Sequence, residues 1–251
     1  MLELKDRKSK VASQKADIET SSEDYAKRFS GEIGKYFLSV QEKITLELLK
    51  AWPKARILDV GGGHAQLAEP LIKNGFKVTI AGSDESCRKR LDKFLQAGSF
   101  EYLSCDLLNL PFDNNSFDVV ISFRLLTHEE NWEIQISELC RVAKYAVIID
   151  YPDLRSFNIF YDLLFNAKKK FEKNTRTYRN FSRKEILEVF KKNKFLNPEI
   201  KPEFFLPMVI HRAVKNVFLL KTMENFFRTL GLTKFFGSPI ILRVVSKNTG
   251  I

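Results

Sequence analysis

At 251 residues, with 44% hydrophobic and 12% aromatic residues, the chain is sized for one α/β domain with a substantial core. No apolar run reaches the ~18 residues of a membrane span, Met1–Lys10 is too polar for a secretion signal, and Cys87, Cys105 and Cys140 lack CxxC or metal-site spacing. These features favour a cytoplasmic protein with reduced thiols and no metal. The formal charge of +10 is uneven: residues 1–150 carry −2 and residues 151–251 carry +12, which suits an acidic small molecule, a phospholipid surface or a nucleic acid, or else a merely solvated lysine-rich face.

Residues 1–20 read as a loosely ordered polar extension, and 21–251 as a single domain. Tyr36, Phe37, Val40, Ile44 and Leu48 recur at helical spacing, and Trp52-Pro53 ends that helix. Ile57-Leu58-Asp59-Val60 then runs into Gly61-Gly62-Gly63-His64: a strand apolar on both faces, carrying an acid, followed by a turn that needs glycine. Gln66 stands where a dinucleotide G-x-G-x-x-G would require its last glycine, and no Gly-Lys-Ser/Thr exists for a phosphate loop. A helix over His64–Asn74 follows, with Pro70 requiring that its regular turns begin late or bend. His64 opens that helix, packing on a ligand or lying exposed. Phe76–Ala81 is a second strand leading to Asp84, which suits either a ribose acceptor or a helix cap.

A helix over Arg88–Leu95 precedes a third strand from Phe100 that ends at the acid Asp106, followed by Leu107. Phe117–Ser122 is a very apolar fourth strand, Trp132–Ala143 a helix, and Tyr145–Asp150 a fifth strand. Strands alternating with helices over short connections predict a doubly wound, mostly parallel sheet with its ligand at the carboxyl ends. Beyond it come helices over Ser156–Lys173 and Ser182–Asn193, a strand near Pro198–Leu206, an amphipathic stretch over Val209–Leu230 and a last strand over Ile240–Val245. Residues 207–238 are longer than a hairpin needs and read as a helical insertion or cap. Its apolar set packs on the core or meets anionic lipid as an interfacial helix, with Arg212, Lys215, Lys221 and Arg228 on the polar side.

The series Asp59-x-Gly-x-Gly, Asp84 after strand two, Asp106-Leu107 after strand three and the stretch Leu110–Ser122 resembles class I S-adenosylmethionine-dependent methyltransferases of the small-molecule type. Ala65 stands where the family form has a third glycine. The resemblance implies a Rossmann-like, seven-stranded sheet ending in an antiparallel strand, with S-adenosyl-L-methionine as cofactor. It implies that Asp59, Gly61, Gly62 and Gly63 form the cofactor turn and that Asp84 accepts from the ribose hydroxyls. Asp106 would accept from the adenine amino group, and the Leu107 N–H would donate to the ring.

Methylating oxygen or carbon calls for a base near neutral pKa, and His128, just after strand four, is the candidate catalytic residue, with a surface or helix-start histidine as the alternative. Arg124, a charge directly after a buried strand, needs a partner: an acidic substrate, Glu129, Glu130 or the cofactor carboxylate. Tyr25, Arg28 and Tyr36 precede the first strand, where related enzymes fold a segment over the site, unless it is a plain packing helix, and His211 reaches substrate if the insertion is a lid. The expected activity is methyl transfer to an oxygen or carbon of a small, lipid-like or acidic metabolite, with peripheral contact at an anionic membrane. An RNA methyltransferase using the basic half, or a non-catalytic cofactor-binding protein, are the alternatives. No Asn/Asp-Pro-Pro-Tyr/Phe follows strand four and no Pro-Cys nucleophile is present, which argues against exocyclic amine or pyrimidine chemistry on nucleic acid.

Overall fold

The computed structural model describes residues 27, 29–156, 179–214 and 216–247. The polar extension, Tyr25, Arg28, Lys215 and all but the first residue of the helix expected over Ser156–Lys173 lie outside them. Helix α1 (Gly31–Leu49) leads into β1 (Arg56–Val60), α2 (Ala68–Lys73), β2 (Lys77–Gly82), α3 (Arg88–Phe94) and β3 (Phe100–Ser104). Strand β4 (Phe117–Ser122), α4 (Trp132–Val142) and β5 (Ala143–Tyr151) complete the parallel half. Helix α5 (Arg183–Lys192) and β6 (Phe195–Phe204) follow, then α6 (Met208–Val214), α7 (Val217–Thr229), α8 (Leu232–Phe236) and β7 (Ser238–Ser246).

The seven strands form one sheet in the order β3-β2-β1-β4-β5-β7-β6. Neighbours from β3 to β5 pair in parallel, while β7 runs antiparallel between β5 and β6. Chain order reverses direction across the sheet at β1 and β4, the position where α/β sheets open a crevice beyond their strand ends.

Alternation along the strands divides the core between the two faces. Leu58 and Val60 of β1 join Val120, Val147 and Leu242 under α4 and α5, through Ile136, Leu139, Ile186 and Phe190. Ile57 joins Ile80, Val119, Ile121, Ile148 and Ile241 under α1, α2 and α3, through Leu48, Leu49, Leu71 and Leu91. Each such side chain fully removed from water contributes about 1.5–3 kcal/mol. Asp59 shares the Ile57 face, so its carboxyl is carried into the interior beneath the turn that follows.

Pro70 acts as expected. A 3-10 turn over Gly62–His64 precedes the α-helix, which starts only at Ala68, so Pro70 falls in the first turn where its missing N–H costs nothing. Strand β6 starts three residues before the expected Pro198. A register shift between Leu196 and Glu199, with Asn197 at φ +51°, lets this edge strand carry Pro198. Among the described residues no helix is long and apolar enough to cross a membrane, and no cluster of His, Cys, Asp and Glu is arranged to hold a metal ion.

Candidate active site

The turn after β1 is built from backbone that glycine alone adopts easily. Gly61 sits at φ +82° and donates its N–H to the Ala81 carbonyl at 2.8 Å, which anchors the turn to the end of β2. Beneath it the Asp59 carboxyl is fully buried, and neither oxygen has a hydrogen-bond partner. Desolvation pushes its pKa up to about 7. Ser122 Oγ, at the end of β4, donates to the Val60 carbonyl at 3.0 Å and ties together the two strands that flank the crevice.

Asp84 and Asp106 follow the carboxyl ends of the adjacent strands β2 and β3. Asp84 Oδ1 accepts the Ser86 N–H at 2.8 Å, and Ser86, through its side chain and then its backbone, holds the Asp84 carboxyl below the usual range. The structure therefore gives Asp84 the cap role at the turn Glu85–Cys87. Capping does not exclude ligand binding, since an ionised carboxylate accepts several bonds. The Tyr102 hydroxyl donates to the Asp84 carbonyl at 2.5 Å and fixes this corner. Asp106 is exposed and accepts the Leu108 N–H at 2.9 Å, while the Leu107 side chain is buried.

Arg124 is placed differently from expectation. It stands at φ +59°, and its backbone N–H donates to Asp150 Oδ1 at 2.6 Å. Its guanidinium donates to Gln66 Oε1 and, at 3.2 Å, to Gln41 Oε1, and it stacks 3.8 Å from the Phe29 ring centroid. Two amides and an aromatic face thus replace Glu129 and Glu130 as its partners. Asp150, with its pKa raised to about 6 by burial, and Glu203, raised to about 8 by burial and then by Asp150, belong to the same interior group. Arg124 opposes both shifts.

The three histidines separate by environment. His64 is 2% exposed rather than at the surface, accepts the Gln66 N–H on Nδ1 at 3.3 Å, and is held neutral with a pKa lowered to about 3 by burial, then by Arg124. His128 ends the 3-10 turn Leu126–His128 after β4 and is half-buried. That turn is pinned by Thr127, which exchanges hydrogen bonds with the Arg179 backbone at 2.7 and 3.0 Å. His211 is fully buried, with Nε2 3.0 Å from Glu224 Oε1 and its ring edge-on to Phe37 and Phe204. Enclosed in this way it packs α6 and α7 onto α1 and β6, so the structure buries it where a lid residue would face substrate. Tyr36 is half-buried, edge-on to Phe204 at 5.6 Å and beneath the Lys221 ammonium, so it joins that seam.

Gln41, Gln66, Asp150 and Glu203 were not anticipated as site residues. Asp150 carried a signal, an acid closing the apolar run Ala146–Ile149. The others carried none, because each is polar on an element whose pattern is helical, turn or mixed strand.

A mostly parallel sheet whose first strand ends in a glycine turn over a buried acid, with carboxylates after the next two strands, has the architecture of a Rossmann-like domain. Residues 58–148 match the family model described as a methyltransferase domain. The chain is 33% identical over 109 residues to the phthiotriol/phenolphthiotriol dimycocerosates methyltransferase of Mycobacterium leprae, a match covering 41% of this chain and 39% of that one. It is 30% identical over 140 residues to the 2-phytyl-1,4-naphtoquinone methyltransferase of Nostoc punctiforme, covering 48% and 61%. The match thus spans less than two thirds of these relatives' own lengths. In fold it resembles magnesium protoporphyrin IX methyltransferase from Synechocystis, with a TM-score of 0.62, 16% identity, and 91% and 96% of the two chains covered. Over residues 58–148 the chain thus matches a methyltransferase domain, and S-adenosylmethionine is the cofactor that this resemblance implies.

The residues present fit that cofactor. Asp59 is a buried carboxyl with unmet demand for donors, and a Cβ at Gly62 would collide with it, so the turn can pack this closely over the acid only with glycine there.

Proposed function

We propose that the protein transfers a methyl group to an oxygen or carbon of a small, lipid-like or acidic metabolite, in the cytoplasm and with peripheral contact at an anionic membrane surface. The observation that carries this reading is the glycine turn over Asp59 with Asp84 and Asp106 at the two neighbouring strand ends. S-adenosylmethionine, when bound, supplies a methyl group on a sulfonium that leaves as a neutral thioether. Gly61, Gly62 and Gly63 admit the ligand to the backbone, Asp84 accepts from the ribose hydroxyls, Asp106 from the adenine amino group, and the Leu107 N–H donates to the ring. His128, half-buried on a pinned turn after β4, takes the acceptor's proton or contacts the acceptor. Arg124 holds the turn after β1 against α1 through Gln66 and Gln41.

The two curated relatives are named for phthiotriol/phenolphthiotriol dimycocerosates and for 2-phytyl-1,4-naphtoquinone, and these names support a small-molecule acceptor over RNA. The test is transfer of labelled methyl from S-adenosylmethionine to separate lipid, quinone and RNA fractions by the purified protein. Label in the lipid or quinone fraction, lost in Asp84→Ala, is the expected result. Label in RNA alone, or in no fraction despite cofactor binding, overturns the proposal.

A further inference from the structure

The segment between β6 and β7 exposes apolar side chains to a degree found nowhere else among the described residues. Eight of the ten exposed large hydrophobic side chains lie in residues 209–236. Val209 is 76% exposed, Phe218 80%, Phe226 59%, Leu230 58%, Phe235 57% and Phe236 48%. They come from three consecutive helices, with α7 packed against both α6 and α8. The inner side of the insertion is fully used, since Leu220 and Glu224 of α7, His211 of α6 and Thr233 of α8 are buried. The outward aromatic stripe is therefore surplus to packing, and clustered exposure of this kind marks an interaction surface.

Charge identifies the occupant. Residues 208–236 contain Arg212, Lys215, Lys221, Arg228 and Lys234 against one acid, Glu224. Glu224 is 1% exposed and its oxygens accept the Phe205 and Leu206 N–H groups, so it offers no negative charge outward. Arg212, Lys221 and Lys234 are exposed on the same three helices, Lys221 with its ammonium over the Tyr36 ring. Phe218 and Val209 are each at least three-quarters exposed, and a fluid acyl phase accepts such side chains without a matching pocket. Long basic side chains beside them reach the headgroups while their stems lie along apolar surface.

We propose that the outer face of α6–α8 docks on an anionic phospholipid bilayer, with Phe218, Phe226 and Phe235 entering the interface and Arg212 and Lys234 meeting the headgroups. This deepens the membrane part of the proposed function and is independent of methyl transfer.

The test is vesicle flotation of the full chain, without cofactor or acceptor, on phosphatidylcholine alone and on phosphatidylcholine with phosphatidylglycerol. Binding at least about tenfold tighter to the anionic vesicles is expected, weakening as salt screens the surface. The triple variant Phe218→Ser, Phe226→Ser, Phe235→Ser should keep its melting temperature and lose binding by about tenfold or more. Arg212→Glu with Lys234→Glu should abolish the preference for anionic vesicles. Equal binding of wild type and triple variant, or no vesicle binding together with a dimer in sedimentation that the triple variant dissolves, overturns the proposal. Because vesicle binding is read without turnover, its failure leaves the methyl-transfer reading to its own assay.

Discussion

Gly62 and Asp59 compete for one volume: a Cβ at Gly62 would fall within the Asp59 carboxylate. Any side chain there must lift the turn or displace the buried acid. Gly62→Ala is therefore expected to weaken binding of S-adenosylhomocysteine at least about tenfold, equivalent to about 1.4 kcal/mol. Isothermal calorimetry reads the affinity and far-ultraviolet circular dichroism checks that the sheet persists. Unchanged affinity would remove the turn from the cofactor site.

Ala65, which stands where the family form has a glycine, adopts φ +60°. An L-residue in this region costs roughly 1–2 kcal/mol, while a glycine loses only about 0.5–1 kcal/mol more backbone entropy on folding. Ala65→Gly is expected to stabilise the protein by about 0.5–1 kcal/mol, the difference between those two costs. A chemical denaturation curve with a lowered midpoint would contradict this.

Asp84 is ionised and half-occupied by the Ser86 cap. If the same carboxylate receives the ribose hydroxyls, Asp84→Ala loses charge-assisted hydrogen bonds and cofactor affinity drops on the order of ten- to a hundredfold. Asp84→Asn should lose less, because its amide oxygen still accepts. Equal affinities for all three proteins would leave Asp84 as a cap alone.

The difference between what the sequence made legible and what it hid lies in range. Strand β1, its glycine turn and the acids after β2 and β3 were readable because each depends on neighbours within a few residues. The late start of α2 was readable for the same reason, since Pro70 acts on its own turn. Arg124 announced that it needed a partner but not which one. Gln66 and Gln41 lie 58 and 83 residues away in sequence, and no local pattern joins them. His211 was misplaced for a related reason. Its burial is set by Phe37 on α1 and Phe204 on β6, which sequence spacing does not bring together.

Glu203 makes stability depend on pH. Its folded pKa is raised to about 8, first by burial and then by Asp150. A carboxyl that binds its proton more tightly when folded adds stability fully present below the unfolded carboxylate range and lost as pH rises through about 8. One pH unit between folded and unfolded titrations is worth about 1.4 kcal/mol, enough to read in a melt. Wild-type melting temperature is expected to fall from about pH 5 to about pH 9, the span over which these raised carboxyls lose their protons, with Asp59 and Asp150 contributing to the lower part. Glu203→Gln should match wild type at low pH and exceed it at the alkaline end. Parallel curves across the range would show that Glu203 does not titrate in the folded protein.

His128 and His211 offer opposite expectations for the same substitution. His211 fills a closed space between Phe37 and Phe204 with Nε2 beside the buried Glu224. His211→Ala opens a cavity and removes one of the partners of that carboxylate, which keeps the Phe205 and Leu206 N–H groups, so a loss of about 2–4 kcal/mol in unfolding free energy is expected. Activity below the new melting point should persist. His128 is half-buried on a turn held by Thr127 and the Arg179 backbone, so His128→Ala should melt close to wild type. If its imidazole handles the acceptor's proton, turnover falls roughly a hundredfold while cofactor affinity is unchanged, and the alkaline shift of the rate profile that a lost base produces accompanies it. A His128→Ala protein that loses stability and retains turnover, beside a His211→Ala protein that does the reverse, would exchange the two assignments.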